Sequence, residues 1–124
     1  TVMPSTVEEP SMVLIARKDL KMSAGKLAVQ CSHAAVTCTL SARKSHPRLV
    51  ERWINAGARK ICLSSDDLET IQRLIGQAQA AGLVTTLVKD AGHTELPPGT
   101  VTVLGIGPSP RRSIDALVSD LKPY

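Results

Sequence analysis

The sequence predicts an α/β domain in three layers, with a four-stranded mixed sheet flanked by helices on both faces. Three observations carry this. Short apolar runs alternate with segments of helical period in the order strand, helix, helix, strand, helix, strand, strand, helix, a pattern that implies a mostly parallel sheet covered by helices. Between the last two runs lies a loop of about eleven residues, Asp90 to Thr100, long enough for a hairpin or a reversal, so the sheet is expected to be mixed. Finally, there is no Phe, one Trp and one Tyr, so the core must be built from Val, Leu, Ile and Ala. Such a core suits thin strands under Ala-rich helices. The length of 124 residues fits one domain.

Residues 1–11 lack periodicity, contain Pro4 and Pro10, and read as a disordered leader to a domain over residues 12–124. The apolar run Met12 to Ala16 reads as a central strand. Ser23 offers an N-cap for a long helix from Ala24 to about Lys44, with Leu27, Cys31, Ala34, Ala35 and Cys38 as its core face. Pro47 opens a second helix carrying Leu49, Val50, Trp53 and Ile54, and Gly57 stops it. A strand follows at Ile61 to Leu63. Ser65 or Asp66 caps a third helix that runs to Ala81, with Leu68, Ile71, Leu74, Ile75 and Ala78 at helical spacing. Leu83 to Val88 and Val101 to Ile106 are the last two strands. Pro108 or Ser109 starts a final helix whose apolar side holds Ile114, Leu117, Val118 and Leu121.

Charge is distributed unevenly. Residues 1–60 hold ten Lys or Arg against four Asp or Glu, and residues 61–124 hold five against seven. The first half is therefore basic by six and the second acidic by two, which suggests a polyanionic partner such as a phosphate backbone. The shortage of aromatic side chains argues against a platform that stacks single-stranded bases. Cys31, Cys38 and Cys62 are odd in number, without CxxC spacing, and read as small apolar residues in a reducing compartment. No run is long and apolar enough to span a membrane.

Two segments hold candidate chemistry, each after a strand, where α/β sheets gather their sites. After the first strand, Lys26 falls in the opening turn of the long helix, where its charge and the free amides attract an anion. Lys26, Gln30, His33 and Thr37 fall at i, i+4, i+7 and i+11, a polar stripe opposite the Cys, Leu and Ala stripe. Residues 20–50 contain no Asp or Glu at all, which an ordinary solvated face would carry. After the third strand, Asp90 precedes Gly92. It could pair with Lys26, accept a proton from water, or shape the loop as an Asx turn. On the fourth strand Thr100, Thr102 and Leu104 should point one way and Val101 and Val103 the other. Gly25-Lys26 lacks the rest of a phosphate loop, no Gly-x-Ser-x-Gly elbow exists, and His33, His46 and His93 have no metal-ligand spacing.

Taken together, these segments resemble a known family. The run Met12-Val13-Leu14-Ile15-Ala16-Arg17-Lys18-Asp19-Leu20-Lys21-Met22, then Gly25-Lys26, then Ala28-Val29-Gln30-Cys31-Ser32-His33-Ala34-Ala35, is similar to the amino-terminal half of the type 2, archaeal and eukaryotic, peptidyl-tRNA hydrolases. Asp90-Ala91-Gly92-x-Thr94 and Pro98-Gly99-Thr100-x-Thr102-Val103-Leu104-Gly105-Ile106-Gly107-Pro108 resemble their carboxyl half. The resemblance implies hydrolysis of the ester between a peptide and the 3′ ribose of tRNA, recycling tRNA from stalled or aborted translation. It also implies no metal and no cofactor, and frequently a homodimer. It places the family's functional positions on Lys26, Gln30, Asp90, Thr94 and Thr102, with His33 also matching. His93 stands where other members often carry Arg or Leu.

On that basis water is the expected nucleophile, oriented or deprotonated by Asp90 with Lys26 holding its charge. Lys26 or Thr94 would stabilise the oxyanion. Gln30, Thr94 and Thr102 would place the ester and ribose, and His33 would relay a proton or bond within the helix layer. Lys18, Lys21, Arg43, Lys44 and Arg48 would meet tRNA phosphates. The expected location is cytoplasmic, or mitochondrial where an anchor precedes the domain, as in some animal members of that family.

Overall fold

The computed structural model of the chain describes residues 9–92 and 96–124. Its elements are β1 (Pro10–Arg17), a 3-10 turn (Lys18–Leu20), α1 (Ala24–Ser45), α2 (Pro47–Asn55), β2 (Lys60–Ser65), α3 (Leu68–Ala80), β3 (Thr85–Lys89), β4 (Val101–Pro110), α4 (Arg111–Val118) and β5 (Lys122–Pro123). The sheet order is β3-β4-β1-β2-β5. Only β1 and β2 pair in parallel, while β1–β4, β3–β4 and β2–β5 are antiparallel. The sheet is therefore mixed, as expected, but mainly antiparallel. Alternation of strands and helices does not constrain β4, which returns beside β1 without a crossover.

β1 divides the core. Its alternate residues Val13 and Ile15 face one side, with Leu63, Leu104 and Ile106, and are covered by Ile71, Leu74 and Ala78 of α3 and Ile114 and Val118 of α4. Met12, Leu14 and Ala16 face the other, with Val88 and Val103, beneath Ala34 and Cys38 of α1 and Trp53 of α2. Period-two alternation on a strand covered on both faces produces this division.

Several boundaries differ from the sequence expectation, each through pairing. Pro10 and Ser11 belong to β1 because they lie opposite Pro110 and Ser109. For the same reason β4 continues to Pro110, and α4 opens at Arg111, not at Pro108 or Ser109. A fifth strand exists because Pro123 and Lys122 pair with Leu63 and Ser64. The cap of α3 is Asp67, whose carboxylate accepts the Thr70 N–H at 2.8 Å, rather than Ser65 or Asp66. Residues 1–8 lie outside the described residues. Among the described residues no helix is long and apolar enough to cross a membrane.

α1 lies close to β4, and Gly105 permits it. A Cβ there would meet Cys38 Sγ at 2.9 Å and Ala34 Cβ at 3.3 Å. Gly105→Ala is expected to lower unfolding free energy by about 1–3 kcal/mol through overpacking. Gly25→Ala, where a Cβ meets nothing within 4 Å, should not. Denaturant titration of both variants measures the difference.

Candidate active site

Ser23 caps α1 by accepting the Lys26 N–H at 3.2 Å, which fixes the turn from which the Lys26 side chain leaves. That turn contains no acidic residue, so nothing on the helix itself offsets a cation placed against its dipole. The compensating charge comes from 64 residues away, where Lys26 Nζ donates to Asp90 Oδ1 in a direct ion pair. Side-chain exposure is 10% for Lys26 and 2% for Asp90, so the pair is nearly dry. Separating charges in such surroundings is costly.

Asp90 is held by more than Lys26. Its second carboxylate oxygen accepts the Gly92 N–H at 2.9 Å. Its backbone N–H donates to Thr100 O at 2.8 Å, and its carbonyl accepts the Gly99 N–H at 2.7 Å. The Asx turn and the ion pair, alternatives in the sequence, coexist: one oxygen shapes the loop and the other meets Lys26. Gly92 has φ of 85° and a Cβ there would collide with the Pro98 ring, so only glycine closes this loop without strain.

Beside this pair lies a second buried contact. The Thr102 hydroxyl donates to Gln30 Oε1 at 2.6 Å, with Val88 O at 3.3 Å, and both side chains are buried. Simple alternation would have put Thr102 on the same side as Leu104, facing α3. The β3–β4 register shows why it does not. Val88 pairs with Val103 and Lys89 with Val101, leaving Thr102 as the extra residue of a β-bulge. The bulge re-aims Thr102 toward α1 while Val101 and Leu104 pack on the α3 side.

The expected polar stripe on α1 divides. Lys26 and Gln30 continue into the buried line of Ala34, Cys38 and Ala42, whereas His33 and Thr37 are exposed. His33 lies about 10 Å along the axis from Lys26, and makes no side-chain hydrogen bond among the described residues. Lys18 and Lys21 are exposed near the start of α1, with Lys18 Nζ 5.4 Å from the centre of the Tyr124 ring. Arg43, Lys44 and Arg48 are exposed at its far end, about 27 Å from Lys26. His93 and Thr94 lie outside the described residues. Among the described residues no group of three or more His, Cys, Asp or Glu side chains converges.

Two features were not legible in the sequence. One is a cleft of about 410 Å³ at the ends of β2 and β5, between Lys18, Asp67, Arg73, Asp120 and Lys122. It shares an edge of the sheet with Asp90, about three strand spacings or 14 Å away. Its balanced charges and open polar walls lack the convergent buried groups found at Lys26 and Asp90, which mark the stronger candidate for chemistry. The second is that Cys31 of α1 and Cys62 of β2 pack against the same apolar cluster.

Known proteins resemble this chain over most of its length. A family model described as "Peptidyl-tRNA hydrolase PTH2" matches residues 10–124. The chain is 43% identical over 116 residues to "Peptidyl-tRNA hydrolase 2, mitochondrial" of Bos taurus, covering 94% of this chain and 65% of that protein. It is 40% identical over 110 residues to "Peptidyl-tRNA hydrolase" of Thermococcus onnurineus, covering 89% of this chain and 93% of that protein. With "Peptidyl-tRNA hydrolase 2" of Saccharomyces cerevisiae the identity is 42% over 122 residues, covering 94% of this chain and 59% of the yeast protein. The chain thus spans less than two thirds of the bovine and yeast relatives and nearly all of the archaeal one.

Burial of the ion pair makes a stability prediction. Lys26→Met leaves the Asp90 carboxylate buried without its cation and should cost about 3–5 kcal/mol. Adding Asp90→Asn to that variant removes the stranded charge and should restore most of the loss. Thermal unfolding of the two variants distinguishes this from simple lost packing, for which the second substitution would add to the first.

Proposed function

The chain belongs to the peptidyl-tRNA hydrolase PTH2 family, and from that membership we propose that it hydrolyses the ester between a peptide and the 3′ ribose of tRNA at the Lys26–Asp90 site. The observation that carries the proposal is the buried Lys26–Asp90 pair beside the buried Gln30–Thr102 contact. Together they put a carboxylate, an ammonium, an amide and a hydroxyl at one edge of the sheet.

Each group has a role that its surroundings support. The Asp90 carboxylate accepts a hydrogen bond from water and orients it, and takes its proton as the water attacks the ester carbonyl. An ammonium has three N–H donors. One is bound by Asp90, and the others serve the tetrahedral oxyanion, where a preorganised donor in a dry site is worth most. Gln30, with its carbonyl oxygen engaged by Thr102, is fixed in orientation and directs its amide N–H groups toward the ribose or the ester. Thr94, which the family pattern includes, adds a hydroxyl to the oxyanion. His33, exposed on the helix, relays protons at the rim or contacts the acceptor end.

The cations divide into two groups that contact tRNA phosphates at separate places, Lys18 and Lys21 beside the site and Arg43, Lys44 and Arg48 at the far end of α1. Three free thiols suit a reducing compartment, cytosolic or mitochondrial. A homodimer is the assembly we propose, supported by the exposed apolar side chains Val29, Val36 and Leu40 on α1 and Ile54 on α2, which are 49–58% exposed.

Asp90→Asn and Lys26→Met, assayed on purified peptidyl-tRNA with folding checked by circular dichroism, should each lose on the order of 10²–10⁴ in kcat/KM. Wild-type turnover in both would refute the assignment. Affinity for tRNA should fall on the order of 10²–10³-fold between 50 and 200 mM salt if about five phosphates are contacted. Replacing Arg43, Lys44 and Arg48 by Ala should flatten that salt dependence and raise KM with kcat retained. A salt-independent KM in the parent chain would remove the phosphate contacts from the account.

A further inference from the structure

We propose that Arg17 is a positioning residue for the Lys26–Asp90 site, tying the bulge that aims Thr102 to the turn that leads into Lys26. Its effect on turnover rests on the hydrolase reading above; its effect on the backbone does not.

The placement follows from strand geometry. Arg17 is the last residue of β1 and stands two residues beyond Ile15, so its side chain leaves on the α3 side of the sheet. Val101, the first residue of β4, packs on that side too. Arg17 Nη1 donates to the Val101 carbonyl at 3.2 Å, at the point where the β3–β4 register shifts. The next residue is Thr102, whose hydroxyl meets Gln30 of α1 on the other face. Arg17 therefore grips the bulge from behind, opposite the side chain that the bulge aims.

The rest of the guanidinium faces the turn after β1. Nε and Nη2 donate to the two carboxylate oxygens of Asp19 at 3.2 and 2.7 Å. Asp19 is the middle residue of the 3-10 turn Lys18–Leu20, which closes with the Lys21 N–H on Lys18 O at 3.2 Å and Lys21 in the left-handed region at φ 53°. Buried Met22 follows, then Ser23, the cap of α1, and Lys26 leaves the first turn of that helix. Arg17 thus joins a segment 84 residues away, which carries Thr102, to the segment that delivers Lys26.

The chemistry of the side chain suits the task. A guanidinium holds its N–H groups in a fixed planar fork that meets a carboxylate with two parallel bonds. Here that leaves Nη1 for the carbonyl. A lysine ammonium keeps the charge but loses the fork, so it cannot fix both segments in one plane. The Arg17 side chain is 13% exposed, unlike Lys18 and Lys21, which are exposed. Arg73 is the contrast: its ion pair with Asp120 is long, at 3.9 Å, and open to solvent, and such pairs constrain little. At the site itself, a misplacement of about 1 Å can cost on the order of 10²-fold in rate.

The test compares Arg17→Lys, Asp19→Asn and Arg73→Lys in the 124-residue chain. It reads the Thr102 backbone amide and Gln30 side-chain amide resonances, the unfolding midpoint, and kcat and KM on peptidyl-tRNA. Arg17→Lys should shift both resonances and lower kcat by about 10–100-fold, with KM and the fold retained. Asp19→Asn, which leaves Arg17 in place but weakens the fork, should shift the same resonances and lower kcat less; it carries the test should Arg17→Lys fail to fold. Arg73→Lys should change none of these. Resonances that stay in place in the folded Arg17→Lys or Asp19→Asn variant overturn the positioning role. A raised KM with kcat retained and a flatter salt dependence would make Arg17 a phosphate contact and overturn it equally. Inactivity of the parent chain would count against the hydrolase reading alone, because the resonances are read without turnover.

Discussion

The Lys26–Asp90 ion pair is the constraint on which the functional half of the molecule depends. It joins the first turn of α1 to the end of β3 across 64 residues of sequence, and it does so with almost no solvent. A buried pair of this kind adds little net stability compared with apolar packing, and it punishes the loss of either member. Such a pair is better understood as fixing two elements in one relation than as holding the fold together. The fold is held by the two apolar layers on either face of β1.

Around that pair the backbone is shaped for side-chain placement. The cap at Ser23 starts α1 where Lys26 can reach across. The hydrogen bonds between Asp90 and Thr100 and Gly99 close the base of the loop, and Gly92 lets it turn back over Pro98. The bulge at Thr102 turns a residue that strand alternation would aim at α3 onto the α1 side, where it meets Gln30. Close approach of α1 to β4 over Gly105 brings these contacts into range. Local strand geometry, loop chemistry and helix packing therefore converge on one edge of the sheet.

Much of this was legible in the sequence, and the parts that were not have physical reasons. The helices were visible because caps and breakers such as Ser23, Pro47 and Gly82 mark their ends, and because Ile71, Leu74 and Ala78 keep the helical period. The candidate site was legible because residues 20–50 carry no acid while Lys26 and Gln30 share a helix face. What remained hidden depends on pairing. Nothing in Lys122-Pro123 marks a strand until it lies against Leu63 and Ser64. Nothing in the run Val101-Thr102-Val103 announces a bulge. The polar stripe was expected opposite the apolar one, whereas Lys26 and Gln30 extend the buried line and leave His33 outside, because Lys26, Gln30, Ala34, Cys38 and Ala42 follow one another at i+4. Cys31 and Cys62 pack against one cluster from α1 and β2, and no sequence spacing could reveal it.

If Lys26 and Asp90 act as one unit, their effects on catalysis cannot be independent. The most direct measurement is a double-mutant cycle on kcat/KM for peptidyl-tRNA, using Lys26→Met, Asp90→Asn and the double variant. The account predicts that the double variant is no slower than the worse single variant, because the first substitution already removes what the second would remove. Losses that multiply, with the double variant slower by the product of the two single effects, would contradict it.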